Sequence, residues 1–495
     1  MKKIFFHIGA PSPILETELE LIKISLKDND DIHFVKCVSE LKTCFFNRNK
    51  IKSFCKICQL KVDSGIKLID KNNKIKIHEL KTKEIRIKIP KFKNIEQLKK
   101  FKFDSFEVGY GVASSLLSHE LDHRPNLIKL TQDINKKILS SLKIYYFFKD
   151  LIKKIKPNKV YIFNGRISDT WPLICLCEKF KIKYCTYEVA AHNKYRIIEN
   201  STPHLIQTKV KPPKNYLQKN LKTKIKLANN YIFNKDKYFK EIGLKNFNVH
   251  PKSKIVPIIN HNKKNISIFP SRLDEFESIK GLKNKIYKPD DTAGIEKILN
   301  SFKNNSNFFF YIRLHPSMKH LSIKSTQMRD VFEIRKKYKN AFIIWPESKV
   351  DSYELIKRSD KVVTFGSTLT IEACFMKKPV ISLNNNLFTQ LNCAYTPKNH
   401  LELINLIKNK TLKPKNWKNS LYFFDYYTNR GEKFKFFRKI DNKILIDGKS
   451  INVPKIEYFK YGIEQIVFKI RNFKISNIEK RIINSYFYKK IFIYK

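Results

Sequence analysis

Short apolar runs alternate with stretches of helical spacing along most of this chain. The first run, Lys3–Ile8, predicts a strand that ends in a proline-rich turn, and residues 16–26 then carry apolar positions at helical intervals. A second unit of this kind predicts a strand over Lys159–Phe163, a helix over Asp169–Phe180 and a strand over Lys183–Tyr187. Because strands that alternate with helices form parallel sheets, we expect an α/β domain whose ligands lie beyond the carboxyl ends of the strands.

A longer alternating series follows a lysine- and asparagine-rich junction at residues 217–262, and it predicts a second domain of the same class. The predicted strands are Ile266–Phe269, Phe308–Leu314, Ala341–Trp345, Lys361–Thr364 and Val380–Leu383. The predicted helices are Gly294–Phe302, Thr326–Tyr338, Tyr353–Arg358, Thr368–Met376 and His400–Ile407. Short strands with intervening helices indicate a doubly wound sheet.

These patterns divide the chain into three predicted parts. Residues 1–250 and residues 251–415 each form a Rossmann-like α/β domain, and residues 416–495 form a C-terminal extension rich in Tyr, Phe and Lys. Runs such as Leu421–Phe424 and Tyr486–Lys490 leave two interpretations of the extension open. It is either a returning helix that packs against the domains or a basic aromatic surface that lies on lipid headgroups.

The net charge changes the list of candidate partners. The chain has 99 Lys and Arg against 45 Asp and Glu, a net charge of +54, and such an excess favours polyanions. The basic residues are mostly lysines spread over the whole chain, however, and Ile, Asn, Phe and Tyr are also abundant, which is the residue usage of an AT-rich genome. We therefore expect no specific nucleic-acid binding, whereas anionic lipids and phosphorylated substrates are compatible with the charge.

The expected location is the cytoplasm. No stretch reaches the roughly 18–20 apolar residues that a membrane-spanning helix requires, and the opening residues do not resemble an export signal. Nine cysteines, odd in number and unevenly spaced, do not form a disulfide framework and fit a reducing compartment.

The segment Lys361–Leu383 predicts a strand, a Gly-Ser-Thr turn, a helix and a further strand. Gly366 allows a tight turn, and Ser367 or Thr368 caps the helix, whose free backbone N–H groups attract a bound anion by roughly 0.3–1 kcal/mol. Glu372, about one turn later, is placed to accept hydrogen bonds from ribose or sugar hydroxyls. A simple capped helix with a surface glutamate is the alternative.

A second candidate site lies at the end of the predicted strand Phe308–Leu314, where Arg313, His315 and Pro316 follow one another closely. Strand ends of one parallel sheet open on the same crevice, so we expect these residues near the Gly-Ser-Thr turn. A His beside a helix N terminus suits a departing nucleotide phosphate, because negative charge grows on the phosphate oxygen as the glycosidic bond breaks. The two signals together favour a function over a structural His-Pro turn.

Three stretches of the second domain, RLHP, WPESKVDSYELI and SDKVVTFGSTLTIEACFMKKPVISL, resemble the capsule polysaccharide biosynthesis glycosyltransferases, including Kdo-transferase-like members. The resemblance covers roughly residues 265–410 and implies a GT-B-like fold, in which two Rossmann-like domains face a central cleft. It implies that the donor's nucleotide phosphate is held by His315 with Pro316 and by Ser367 with Thr368. Glu372 would hold the ribose.

The resemblance also reaches Ser271, and it is weaker upstream, in the first domain. Ser271, which follows the first strand of the second domain, lies in a serine-acidic segment expected on the donor side, together with Arg313 and Gly366. The acceptor side would be formed by Asn164, Gly165 and Arg166. Glu188 or Asp169 is the candidate base that deprotonates the acceptor hydroxyl, and either residue is equally compatible with a surface carboxylate.

Cys37, Cys44, Cys55 and Cys58 form a C-x6-C-x10-C-x2-C pattern, in which the last pair resembles a metal knuckle. This spacing permits a structural zinc with four ligands, and free cysteines buried as small apolar residues are the alternative. A convincing DxD pair at a strand end is lacking. We therefore expect no catalytic metal and no cofactor that catalysis requires.

The sequence thus predicts a glycosyltransferase that moves a sugar from a nucleotide-activated donor, such as CMP-Kdo or another CMP- or UDP-sugar, to a surface or capsular polysaccharide or lipid-linked acceptor. We expect it to act peripherally at the inner face of the cytoplasmic membrane, on an anionic surface. A UDP-GlcNAc 2-epimerase-like enzyme and a CDP-glycerol-type phosphotransferase share the architecture. A non-enzymatic polyanion-binding protein is the rival from another class, and the net charge is its support.

Overall fold

The computed structural model describes residues 1–9, 12–190, 194–205, 209–234, 255, 257–282, 286–320, 325–383, 389–440 and 443–468. Within these residues the strands are β1 (Lys2–His7), β2 (Asp31–Cys37), β3 (Lys76–Leu80), β4 (Lys159–Phe163), β5 (Lys183–Ala190), β6 (Lys194–Glu199), β7 (Lys264–Phe269), β8 (Phe308–Arg313), β9 (Ala341–Ile344), β10 (Lys361–Thr364), β11 (Val380–Ser382), β12 (Glu432–Lys433), β13 (Phe437–Ile440), β14 (Lys443–Ile446) and β15 (Lys449–Ser450).

The helices of the same residues are α1 (Ile14–Lys27), α2 (Lys52–Ile69), α3 (Ile95–Lys100), α4 (Val108–Glu120), α5 (Thr131–Ile155), α6 (Trp171–Phe180), α7 (Leu221–Phe233), α8 (Leu273–Glu277), α9 (Asp291–Ser301), α10 (Thr326–Lys337), α11 (Ser352–Arg358), α12 (Leu369–Phe375), α13 (His400–Lys408) and α14 (Leu421–Asn429). Residues 455–468 are also helical.

The chain forms two compact units, one of residues 1–84 with those from Lys435 onward, and one of residues 85–434. In the first unit, β1, β2 and β3 pair in parallel in that order, with Phe5 opposite Phe34. The helices α1 and α2 connect these strands, as parallel pairing requires. The strands β13, β14 and β15 form a small antiparallel sheet.

The unit of residues 85–434 begins with helices and a mixed group of strands. The strands β4 and β5 are parallel, whereas β5 and β6 pair antiparallel, with Glu188 opposite Arg196. The short strand β12 then adds antiparallel to β6, with Glu432 opposite Tyr195. The chain therefore returns after α14 to the edge of a sheet that it left more than 200 residues earlier.

A second sheet of this unit consists of β11, β10, β7, β8 and β9 in that order, and all its pairings are parallel. The first strand in sequence, β7, lies in the centre. The chain builds outward on one side to β9, and then crosses to β10 on the other side. This is the order of a doubly wound sheet, with its topological switch point between β7 and β10. The predicted α/β class with Rossmann-like sheets is confirmed.

Both faces of the second sheet are buried. Along β8, Phe310 and Ile312 point into one apolar cluster together with Ile295 of α9, while Tyr311 points into the opposite cluster. Each fully buried side chain of this size contributes roughly 1.5–3 kcal/mol relative to exposure. This double coverage explains why the strands of this sheet are continuous apolar runs rather than alternating ones.

In the C-terminal extension, the helix α14 is a packing element. Leu421, Phe423 and Phe424 of α14 are fully buried, and the ring of Phe424 contacts Tyr231 of α7 with a centroid distance of 5.2 Å. Tyr486–Lys490, the other aromatic run, lies outside the described residues. In the described part of the chain, no helix is both long and apolar enough to cross a bilayer. The domain boundaries expected at residues 250 and 415 stay a prediction.

Candidate active site

Three loops leave the second sheet where β7, β8 and β10 end. Ile268 of β7 lies opposite Ile312 of β8, and Phe269 lies opposite Thr364 of β10, so the three strands finish side by side. In doubly wound sheets, ligands bind beyond the carboxyl ends of the strands at the switch point. The predicted donor-binding residues therefore lie in loops at one edge of the sheet. This edge is where a doubly wound topology positions a ligand.

The loop after β7 ties the other two loops together. The Ser271 hydroxyl donates a hydrogen bond to the carbonyl of Phe365, and the Ser271 side chain is almost fully buried. The Arg272 guanidinium lies 3.4 Å from the hydroxyl of Ser317, and it also forms an ion pair with Asp274. Ser271 is thus a residue that positions the Gly-Ser-Thr turn from inside, rather than an exposed ligand.

The Gly-Ser-Thr turn has the predicted conformation. Gly366 has φ of 101°, in the left-handed region that favours glycine. The Ser367 hydroxyl accepts a hydrogen bond from the backbone N–H of Leu369 at 3.2 Å, and Ser367 and Thr368 are partly exposed. The helix that follows, α12, has seven residues. The polar side chains of Ser367 and Thr368 therefore lie at the edge of the sheet, at the start of the short helix α12.

His315 is exposed at the end of β8. Its Nδ1 atom accepts a hydrogen bond from the backbone N–H of Ser317 at 3.1 Å and lies 2.7 Å from the Ser317 hydroxyl. A backbone N–H can only donate, so Nδ1 is an acceptor and the proton of the neutral ring lies on Nε2. The loop therefore orients His315 so that Nε2 is its hydrogen-bond donor.

Arg313 and Glu372 are placed differently from the expectation that they present charge to the crevice. Arg313 is 2% exposed, and its guanidinium donates to the backbone carbonyls of Trp345 and Ser348 in the loop after β9. Burial lowers its pKa to about 10. Glu372 is 3% exposed and accepts a hydrogen bond from the hydroxyl of Tyr353. Ligand roles for these two residues stay predictions, and they require those contacts to open.

On the predicted acceptor side, Asn164 and Glu188 contact each other at the ends of β4 and β5. The Asn164 side-chain amide donates to Oε1 of Glu188, and Oε2 of Glu188 lies 3.3 Å from Nη2 of Arg196. The Glu188 side chain is 20% exposed, whereas Asp169 is fully buried. Of the two candidate bases, Glu188 is therefore the one that an acceptor hydroxyl could reach in this arrangement.

Arg166 connects the acceptor side to the loop after β7. Its Nη1 atom lies 2.9 Å from the hydroxyl of Ser114, and 3.1 Å from those of Ser118 and Ser278. The hydroxyls of Ser114 and Tyr110 both donate to the carbonyl of Ser278. Because Ser278 follows α8 directly, these contacts bring the predicted acceptor and donor segments together. Burial lowers the pKa of Arg166.

Glu275, on α8, is a site residue that sequence reasoning did not single out. Its side chain is 60% exposed, yet the surrounding protein raises its pKa, against the opposing effects of Arg272 and Arg166. The signal in the sequence was its place four residues after Ser271, in the serine-acidic segment.

His204 is a second residue that the sequence did not reveal. Burial lowers its pKa to about 4, and Glu188, Arg166 and Arg196 lie within electrostatic range. Its Nε2 atom is buried and has no hydrogen-bond partner among the residues described. His204 is therefore a neutral imidazole beside the candidate base. A lone His in a loop carries no pattern that predicts such a position.

The four cysteines of the predicted zinc site lie in the unit that contains β1. The Cys58 sulfur is 3.7 Å from Nε2 of His7, and the Cys55 sulfur accepts a hydrogen bond from Asn47 at 3.3 Å. Burial raises the pKa of Cys37 to about 11. Within the described ranges, the sulfurs do not form a group of three or more whose ligand atoms lie within 4.8 Å of one another. Structural zinc stays a prediction.

One described cluster has the spacing of metal ligands: His123, Asp290 and Asp330. The guanidinium of Arg124 pairs with both carboxylates, and Nε2 of His123 lies 3.1 Å from Asp290. The Asp290 carboxylate also caps α9 by accepting from the backbone N–H groups of Thr292 and Ala293. Arg124 already supplies the positive charge, so the cluster has a structural explanation.

No protein-family model and no curated protein matches the chain. Similar solved structures include the UDP-GlcNAc 2-epimerase from Methanocaldococcus jannaschii, with 15% identity, a TM-score of 0.28 and coverage of 87% of this chain and 100% of that chain. The β-Kdo 2,7 transferase KpsC from Thermosulfurimonas dismutans has 15% identity and a TM-score of 0.30, and covers 55% of this chain and 78% of that chain. A glycosyltransferase from Rickettsia africae has 10% identity and a TM-score of 0.29, and the match covers 86% of this chain and 94% of that chain. At these TM-scores the likeness carries no argument about the function of this chain.

Proposed function

We propose that this protein is a glycosyltransferase that moves a sugar from a nucleotide-activated donor to an acceptor hydroxyl. The observation that carries the proposal is the junction at the switch point of the second sheet. There Ser271 holds the Gly-Ser-Thr turn, Arg272 reaches Ser317, and His315 is oriented with Nε2 as its donor. The same loop reaches Arg166 through Ser278. This contact between the predicted donor and acceptor segments supports the proposal.

In the proposed reaction, the donor phosphate lies against the turn at Gly366, Ser367 and Thr368. The Nε2–H group of His315 donates to a phosphate oxygen of the leaving nucleotide. Since negative charge grows on that oxygen as the bond to the sugar breaks, the hydrogen bond strengthens in the transition state. This role requires an oriented donor at an exposed position, which the backbone contact of His315 provides.

Glu188 serves as the base on the acceptor side. It removes the proton of the acceptor hydroxyl while the hydroxyl oxygen forms the new bond to the anomeric carbon, and the nucleotide leaves with the electron pair of the broken bond. The contacts from Asn164 and Arg196 fix the orientation of the carboxylate. Glu275 of α8, like Glu188, lies within electrostatic range of Arg166.

The finer assignment follows the sequence resemblance. We propose CMP-Kdo or another CMP- or UDP-sugar as donor, and a capsular or surface polysaccharide or lipid-linked acceptor at the inner face of the cytoplasmic membrane. The helical residues 455–468 support a peripheral membrane contact, because Phe459 is 65% and Ile466 is 58% exposed beside basic residues such as Lys460.

A binding screen with CMP, CDP, UDP and GDP tests the proposal. A nucleotide that binds the native state at 100 times its Kd raises the free energy of unfolding by about 2.7 kcal/mol. We expect this stabilisation in the wild-type protein and its loss in Thr368→Asp, because the new carboxylate repels the phosphate. Thr223→Asp, on the exposed face of α7, is the matched control and should keep the stabilisation.

Product analysis then separates the activities that share this architecture. The proposal expects sugar transfer that depends on the acceptor. Epimerisation of UDP-GlcNAc without an acceptor would instead identify an epimerase. Transfer of phosphorus to the acceptor would identify a phosphotransferase. Absence of any nucleotide stabilisation in a folded protein would contradict it.

A further inference from the structure

A cavity of about 640 Å³ lies between β6 and α14. It is lined by Arg196 on β6, by Tyr422 and Tyr426 on α14, and by Arg430, which follows that helix. All these residues belong to the unit of residues 85–434. The cavity is distinct from the loops that end β7, β8 and β10, but it adjoins Glu188 through Arg196.

The two arginines of this cavity leave much of their hydrogen-bonding capacity unused. The Nε and Nη1 atoms of both Arg196 and Arg430 are buried without a hydrogen-bond partner in the described part of the chain. The Arg196 side chain is 11% exposed, and its pairing with Glu188 uses Nη2. The Arg430 guanidinium lies 4.3 Å from the ring centroid of Tyr427. Burial lowers the pKa of Arg430, and the charge of Arg196 lowers it further.

This arrangement is energetically unfavourable without a ligand. A buried charged donor that lacks a partner loses its hydration, and two like charges repel each other. An oxyanion between the guanidinium groups would offset the repulsion, and it would accept hydrogen bonds from the unpartnered N–H groups once the two side chains turn toward it. The protein therefore maintains a pair of cations that an anion would stabilise.

The backbone around Gly431 fixes the position of Arg430 relative to β6, the strand that carries Arg196. Gly431 has φ of 94°, and a Cβ atom at this position would lie 2.7 Å from the carbonyl oxygen of Tyr195 and 3.0 Å from Cβ of Ala190. Glycine is thus required for the close approach to β6. The next residue, Glu432, pairs with Tyr195 and fixes the position of Arg430 along β6.

We propose that this cavity binds the phosphate or carboxylate group of an anionic saccharide, with the oxyanion between Arg196 and Arg430. Tyr422 and Tyr426 supply ring surfaces for the apolar face of a sugar, and Asp425 and Asn429 supply polar groups for its hydroxyls. Because Arg196 also holds Glu188, the cavity would select the charged part of the acceptor. That last step rests on the proposed function, whereas the anion site does not.

The test is calorimetric titration of the full-length protein with pyrophosphate and, separately, with glucuronate. We expect one of the probes to bind, and the affinity to fall about 10- to 100-fold in Arg430→Gln and in Arg196→Gln, since charge-assisted hydrogen bonds are lost. Arg438→Gln, at an exposed arginine on β13, is the matched control and should bind as the wild type does. The melting temperature of ligand-free Arg430→Gln should fall only slightly, because the variant loses the contact with the Tyr427 ring but also removes buried N–H groups that lack partners.

Each result has a defined meaning. Preference for pyrophosphate indicates a phosphate-linked ligand, and preference for glucuronate indicates an acidic sugar. Unchanged affinity in both Gln variants, or no binding of either probe, would overturn the anion site. Nucleotide stabilisation should persist in Arg430→Gln. If the wild type binds no nucleotide but its anion binding depends on Arg430, the proposed function fails and the anion site stands.

Discussion

Burial is the main cause of the lowered pKa of His204, and the charges of Arg166 and Arg196 act in the same direction. Its pKa is about 4 in the folded protein, against an ordinary value of 6.5, because burial disfavours the charged ring. A His with a lowered folded-state pKa contributes its full stabilisation above pH 6.5 and loses it as the pH falls toward 4. The expected loss is up to about 3 kcal/mol at pH 4.

The measurement is the free energy of unfolding of the wild type and of His204→Gln between pH 7 and pH 4. The difference between the two proteins should change over this range, because the glutamine does not titrate. Parallel pH profiles would show that His204 titrates normally and is not desolvated as described.

At the residue level, the sequence predicted positions better than orientations. The Gly366 turn and the exposed His315 lie where the motifs placed them. Arg313 and Glu372 also lie at the expected positions, but their side chains are buried against Trp345 and Tyr353. One sequence cannot distinguish these outcomes, because a charged residue beside a strand end can donate to a neighbouring loop as readily as to a ligand.

At the level of elements, Gly294 of α9 controls how closely this helix approaches the Gly-Ser-Thr turn. A Cβ atom at this position would lie 2.5 Å from Cδ2 of Tyr287 and 2.9 Å from Cε1 of Phe365. We expect Gly294→Ala to destabilise the protein by about 1–3 kcal/mol, as overpacking does. Since Phe365 precedes Gly366, nucleotide affinity should fall as well.

Chemical denaturation and nucleotide titration of Gly294→Ala check this prediction. Gly462→Ala is the control, because no atom lies within 4 Å of its added methyl group in the helical residues 455–468. The control should be neutral or more stable by up to about 1 kcal/mol, as expected for Ala over Gly in a helix. Equal stability of the two variants would contradict the packing described.

The elements themselves were the most predictable part of the fold. The strands β4 and β10 have the predicted bounds, and the other strands of the second sheet differ by one or two residues at an end. Buried parallel strands between amphipathic helices leave a strong pattern of apolar runs. The antiparallel β6 and β12 were missed, since β12 has two residues and is positioned by Gly431 and by tertiary contacts rather than by its own sequence.

At the level of the whole molecule, the charge of +54 predicts a membrane contact that depends on salt. We expect binding to anionic vesicles, weak binding to neutral ones, and release in high salt. Replacing Phe459 and Ile463 by Ser should weaken binding, because both side chains are exposed on the helical residues 455–468.

Vesicle sedimentation at increasing salt concentration measures this contact. A Thr223→Ser variant, which changes an exposed position of α7, is the control and should sediment as the wild type does. Binding that survives molar salt would mean that charge is not the main attraction. Equal binding of the Ser double variant would exclude the helical residues 455–468 as the contact.

The central claim is that His315 donates a hydrogen bond to the leaving nucleotide. Replacing His315 by Ala tests this claim most directly. Loss of one oriented donor at a developing charge should reduce turnover about 100- to 1,000-fold, equivalent to about 2.7–4 kcal/mol, with a smaller effect on nucleotide affinity. The melting temperature should barely change, since His315 is exposed. His261→Ala, at an exposed histidine before β7, is the control and should retain normal turnover. Near-normal turnover in a folded His315→Ala protein would contradict the proposed site, and a collapsed melting temperature would assign His315 a structural role instead.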